Sequence, residues 1–263
     1  MKNKFLIIGI IIVISLLVLM SLQVFAQPKI VDGNQIELQK TYTHHKNEVW
    51  EVKFSPNDSL MISGGIEPNA KIWSRITGEV LHDLPHEIGT PTVDFSSTGK
   101  VVATGAYDGN VRIWDVKTRA LLKTLKGNGG TVWTVNFSSN GKLLASAGDD
   151  KTVKIWDTTN WQLLHTLKED NQAIHSVIFI DNDRVIAGGT DKSMIGELLE
   201  YHFKFSGVVK PIVATLWDVK SEKILQTISN HTNDIGLGMD VSSDGKLIAT
   251  PSKDKTVKVW KII

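Results

Sequence analysis

No cysteine occurs anywhere in the 263 residues. Disulfides, thiolate nucleophiles and thiolate metal ligands are therefore excluded. An excess of charge is also missing, since 29 Lys and Arg face 28 Asp and Glu. That balance gives no electrostatic case for a nucleic-acid partner. No cofactor is called for by any motif. What is present is an ordinary hydrophobic fraction of 41%. A chain of this length can bury a sizeable core, as one large all-β domain or two small ones.

The first residues stand apart. Lys2 and Lys4 precede an uncharged run from Phe5 to Pro28. Val24-Phe25-Ala26 then places small or apolar residues where a signal peptidase reads. This is the pattern of a secretory signal, residues 1–26. The apolar stretch 5–22 also reaches spanning length, so an uncleaved membrane anchor is an equal reading. In either case the Lys-bearing end stays in the cytoplasm and the remainder crosses. The expected location is extracytoplasmic: periplasmic, secreted, or anchored and facing outward. A cytoplasmic-facing scaffold on the same anchor is the alternative orientation.

The rest of the chain repeats. Trp73, Trp114, Trp156, Trp217 and Trp260 are spaced by 41, 42, 61 and 43 residues. Before each Trp the same features return in order. An alternating strand comes first: VWEVKF (49–54), TPTVDF (90–95), VWTVNF (132–137), IHSVIF (174–179) and GLGMDV (236–241). A Ser-, Asn-, Asp- or Gly-bearing turn follows, then a second apolar strand. A tight acidic turn leads to a third strand ending in Trp, and a fourth strand leads onward. Such units are four short antiparallel strands joined by hairpins. A four-stranded sheet with two apolar faces must stack on copies of itself, and radial stacking gives a propeller.

These residues carry a family resemblance. IWD at 113–115 and 155–157, and LWD at 216–218, resemble the repeats of WD-type β-propellers. The resemblance implies an all-β propeller of about five four-stranded blades. They span residues 45–85, 86–127, 128–169, 170–230 and 231–263. Residues 27–44 form a linker and an outer strand that closes the ring, because the last unit lacks its own. Two chains joining into a larger assembly is the alternative if five blades do not close.

The resemblance also gives the recurring acids a role. The sets His45, Ser63, Glu67, Trp73; His86, Thr104, Asp108, Trp114; Asn128, Ser146, Asp150, Trp156; and His231, Thr250, Asp254, Trp260 occupy equivalent positions. In the family such a set resembles a buried hydrogen-bond chain tying the loop before the first strand to the acidic turn. Asp accepts, His relays, the hydroxyl does both and the indole donates. A catalytic triad is one site, whereas this set recurs in four units. Asp149, Asp150 and Asp157 do not make a calcium loop, because a whole strand separates Asp157 from the turn. His44 and His45 alone do not complete a metal shell. The fourth unit departs from the pattern: Asp191 and Trp217 remain, but Asp170 replaces the His and Ala187 the hydroxyl.

One feature is not scaffold. Residues 192–212 are inserted in the acidic turn of the fourth unit. Tyr201, Phe203 and Phe205 alternate with His202 and Lys204, which reads as a projecting hairpin arm. The resemblance adds top-face positions for partner contact: Trp50, Trp133 and His175 in first strands, with Tyr107, Asp149 and Lys253 in acidic turns. The reading is a non-enzymatic protein-interaction scaffold with an unidentified protein partner. The rival is an enzyme or small-ligand binder using the central channel.

Overall fold

The computed structural model describes residues 40–168, 173–190, 214–228, 238–242, 244–252 and 255–262. The chain divides into two units, Met1–Thr41 and Tyr42–Ile263. The signal or anchor segment, the ring-closing strand and the arm with Tyr201, Phe203 and Phe205 lie outside the described residues. Among the described residues no helix is long and apolar enough to cross a membrane.

The second unit is built from antiparallel sheets laid out in chain order. Blade 1 holds β1 (Val49–Phe54), β2 (Leu60–Gly65), β3 (Asn69–Ser74) and β4 (Val80–Pro85). Blade 2 holds β5 (Thr92–Phe95), β6 (Val101–Gly105), β7 (Val111–Asp115) and β8 (Leu121–Leu125). Blade 3 holds β9 (Val132–Phe137), β10 (Leu143–Gly148), β11 (Thr152–Asp157) and β12 (Leu163–Lys168). Blade 4 holds β13 (Ala173–Phe179), β14 (Arg184–Thr190), β15 (Ala214–Asp218) and β16 (Lys223–Ile228). Blade 5 has three strands among the described residues, β17 (Asp240–Val241), β18 (Leu247–Pro251) and β19 (Val257–Lys261).

Turn chemistry fixes each hairpin. Between first and second strands, Gly99, Gly141 and Gly245 adopt φ of +67°, +69° and +68°, and Asp58 takes the same place at +55°. Ser55, Ser96, Ser138 and Ser242 lie just ahead. Each hydroxyl accepts the amide that opens the next strand, at 2.9–3.2 Å. Apolar clusters then fuse neighbouring blades. Ile62, Ile72 and Leu84 of blade 1 pack on Val93, Phe95 and Trp114 of blade 2, and the pattern continues through blades 3, 4 and 5.

The innermost strands are also pinned to one another. Val93 N donates to Glu51 Oε2 at 2.8 Å, and Val135 N to Thr92 Oγ1 at 3.0 Å. Val177 N donates to Thr134 Oγ1 at 3.2 Å, and Met239 N to Ser176 Oγ at 3.1 Å. In blade 5 the equivalent position is Gly238, which offers no acceptor.

Most of the strand expected to close the ring, in residues 27–44, lies outside the described residues. Val52 and Phe54 of β1 are 56% and 57% exposed, whereas Phe95, Phe137 and Phe179 at the position of Phe54 are 6–9% exposed. On β19, Val257 and Val259 are 68% and 64% exposed, while their counterparts Val111, Ile113, Val153 and Ile155 are fully buried. The described residues thus form four packed seams and leave the seam between blades 5 and 1 uncovered. Among the described residues this seam also lacks the side-chain pin of the other four, since Gly238 carries no side-chain acceptor.

Candidate functional site

The hydrogen-bond sets hold the acidic turns that shape the upper face. In blade 1, Trp73 Nε1 donates to Ser63 Oγ at 2.7 Å, and Ser63 Oγ lies 2.6 Å from His45 Nε2. His45 Nδ1 meets Glu67 Oε2 at 3.2 Å. Glu67 also accepts the amides of Lys46 and Asn47. Burial pulls His45 below its ordinary pKa against the pull of Glu67. A neutral ring fits the chain, with Nδ1–H donating to Glu67 and Nε2 accepting from Ser63.

Blade 2 corrects the expected pattern. Trp114 Nε1 donates to Thr104 Oγ1 at 3.0 Å, and Thr104 lies 2.8 Å from His86 Nε2. His86 Nδ1 then meets the carbonyl of Leu84 at 2.9 Å and not Asp108. Asp108 is taken by the guanidinium of Arg112, at 2.5 Å to Nη2. Burial would raise the Asp108 carboxyl, but Arg112 holds it down at about 2. Burial pushes half-buried His86 down to about 4, against the Leu84 carbonyl and the Asp108 charge, which favour its proton.

Blade 3 is intermediate. Trp156 Nε1 donates to Ser146 Oγ at 2.9 Å, but Ser146 reaches Asn128 Oδ1 only at 3.5 Å. Asp150 accepts the amide of Gly129 at 3.0 Å and pairs with Lys154 at 2.5 Å. In blade 4, Ala187 and Trp217 are buried and Asp191 lies outside the described residues. In blade 5, Trp260 Nε1 donates to Thr250 Oγ1 at 2.8 Å, while His231, Lys253 and Asp254 lie outside them. A basic residue four past the acid recurs in blades 1 to 3, as Lys71, Arg112 and Lys154. Its sequence signal is the Lys or Arg two places before the Trp.

Above these sets, four of the sequence-derived candidates converge. Trp50 of β1 stacks on Trp133 of β9, with ring centroids 5.7 Å apart and planes 9° apart. Tyr107, from the acidic turn of blade 2, meets both edge-on at 6.2 and 5.7 Å. His175 of β13 lies against Trp133 at 5.4 Å. Residues from four blades therefore make one aromatic cluster. Asp149 belongs to it too: its Oδ1 accepts Trp133 Nε1–H at 2.7 Å, and its Oδ2 accepts the Thr131 amide at 3.2 Å. Glu48, absent from the sequence reading, accepts Trp50 Nε1–H at 3.3 Å.

The cluster borders a cavity of about 270 Å³ lined by the innermost strands, including Glu51, Lys53, Asn136 and Ser176. Lys53 pairs with Glu51 at 3.4 Å. The Asp94 carboxylate accepts the Phe137 amide at 2.8 Å, and Asn136 accepts that of Phe179 at 2.9 Å.

A family model, WD domain, G-beta repeat, matches residues 36–74, 79–115, 119–157 and 222–261, more than half of the chain. The chain belongs to the WD-repeat family. The unmatched stretch, 158–221, contains the fourth unit's altered set and its insertion. The WD-repeat protein is 27% identical over 103 residues to the human serine-threonine kinase receptor-associated protein, covering 39% of this chain and 29% of the relative. It is 31% identical over 81 residues to eukaryotic translation initiation factor 3 subunit I of Pyricularia oryzae, 30% of this chain and 24% of the relative. The matched stretches span less than a third of these relatives' length. Two solved structures share its fold at 20% identity and a TM-score of 0.70. They are U3-55K and the RRP9 WD40 repeats; each match covers 82% of this chain, and 62% and 61% of those chains.

Asp94 gives a testable pH dependence within these blades. Its carboxyl, on the inner strand β5, is half-buried between the Phe137 amide and Asn136. Burial pushes it up to about 7, against the Phe137 amide and the Lys53 ammonium, which favour the charged form. A carboxyl whose folded pKa is raised stabilises the fold below its unfolded pKa, and that contribution is lost as pH rises through about 7. Relative to Asp94→Asn, which keeps an acceptor for Phe137, the wild type should lose of order a few kcal/mol between about pH 4 and pH 8. Urea midpoints at both pH values measure it, and parallel curves for the two proteins would contradict it.

Proposed function

We propose that this WD-repeat propeller is a non-enzymatic protein-interaction scaffold whose partner docks on Trp50, Tyr107, Trp133 and His175. The observation that carries the reading is the convergence of these side chains from four blades, with Trp50 37% exposed. An aromatic cluster over a rigid scaffold is the composition of a binding hot spot. Families of this fold are generally scaffolds. Of the relatives, one is named as a subunit and another as receptor-associated, which accords with a role in assemblies. The sequence of 192–212, with Tyr201, Phe203 and Phe205, makes this insertion and Lys253 further candidates for the same partner. The uncharged run 5–22 behind Lys2 and Lys4 supports display outside the cytoplasmic membrane, which protease treatment of intact cells tests.

A photo-crosslinking residue at Tyr107 should capture a discrete protein in cells that express the chain. The same residue at Leu121, on the outer strand of blade 2, should not. Equal labelling from both positions, or none from Tyr107, would remove the support for this reading.

A further inference from the structure

The two indoles are held at their edges by carboxylates. Glu48 accepts from Trp50 and Asp149 from Trp133. Glu51 lines the cavity below, so among the described residues three carboxylates, Glu48, Glu51 and Asp149, border the cluster and its cavity, with the Lys53 ammonium beside Glu51. The indole faces carry the negative side of the ring quadrupole, and they share the field of these acids.

A partner that covers this face must desolvate Glu48 and Asp149. Each carboxylate has more lone pairs than the donors that now reach it. Under an apolar cover, or one bearing only acceptors, that desolvation would be uncompensated. A cationic donor offsets it and also meets the ring faces. Arginine fits better than lysine, because its planar guanidinium stacks on an indole while its N–H groups still reach a carboxylate. We infer that the partner presents an arginine side chain to the Trp50–Trp133 stack between Glu48 and Asp149. This inference rests on the protein-docking reading and specifies the chemistry of its partner.

The test uses the full chain and two synthetic peptides, acetyl-Gly-Arg-Gly-amide and the same peptide with neutral citrulline in place of arginine. Calorimetric titration should show the arginine peptide binding about tenfold more tightly than the citrulline peptide. The preference should shrink at high salt. It should vanish in the Glu48→Gln, Asp149→Asn variant, whose amide oxygens can still accept the indole N–H groups. Equal affinity for the two peptides, no saturable arginine binding, or a preference that survives in the variant would overturn the inference. If Tyr107 still crosslinks a protein while the peptides bind equally, the arginine inference fails alone. If neither crosslink nor arginine binding occurs, the docking reading fails with it.

Discussion

Gly148→Ala should destabilise the protein by more than about 3 kcal/mol. A Cβ on Gly148 would sit 1.8 Å from the Thr131 carbonyl oxygen, far inside any van der Waals contact. The crowding is built into the blade. The β9–β10 register shifts between Ala147 and Gly148, which brings the inner strand's backbone onto this glycine. The same carbonyl accepts the Asp149 amide at 3.1 Å, so it cannot move aside without releasing the turn. Gly65 and Gly189 meet the Glu48 and Ala173 carbonyls in the same way, at 2.0 and 1.8 Å. Gly245 provides the control. It has a positive φ of +68°, but a Cβ there would meet nothing within 4 Å, so Gly245→Ala should cost only about 1 kcal/mol. For a domain of this size the Gly148 variant should melt more than about 6 °C below the wild type. Thermal unfolding of both variants decides it, and equal losses would contradict the account.

Much of this fold was legible because the repeat prints its physics in residue types. The ten-residue step from Ser63 to Trp73, Thr104 to Trp114, Ser146 to Trp156 and Thr250 to Trp260 is a hydroxyl meeting an indole on the paired neighbouring strand. Residue type does not decide between rival partners. Asp108 had both His86 and Arg112 within reach, and the guanidinium, a stronger charge-assisted donor, takes it. The pins between inner strands were missed, although the polar residue before the first-strand valine, Glu51, Thr92, Thr134 and Ser176, was their signal. The top-face candidates came from register together with the family resemblance. What register could not show is that Trp50 and Trp133 stack, or that Glu48 and Asp149 hold their N–H groups.

The central claim is that this aromatic cluster is where the protein does its work. Trp50→Ala with Trp133→Ala removes both faces of the stack and leaves the Tyr107 ring unsupported on two sides. The blade cores do not depend on the pair, since Trp73, Trp114 and Trp156 fill them. Stability should therefore change by no more than about 1–2 kcal/mol. Binding should change far more, because paired hot-spot aromatics each contribute about 2–4 kcal/mol when truncated. The deciding measurement is the dissociation constant of the protein captured through position 107, for the wild type and for this folded double variant. The account predicts at least about a 100-fold loss of affinity. An affinity within a few-fold of wild type, with the fold intact, would contradict it.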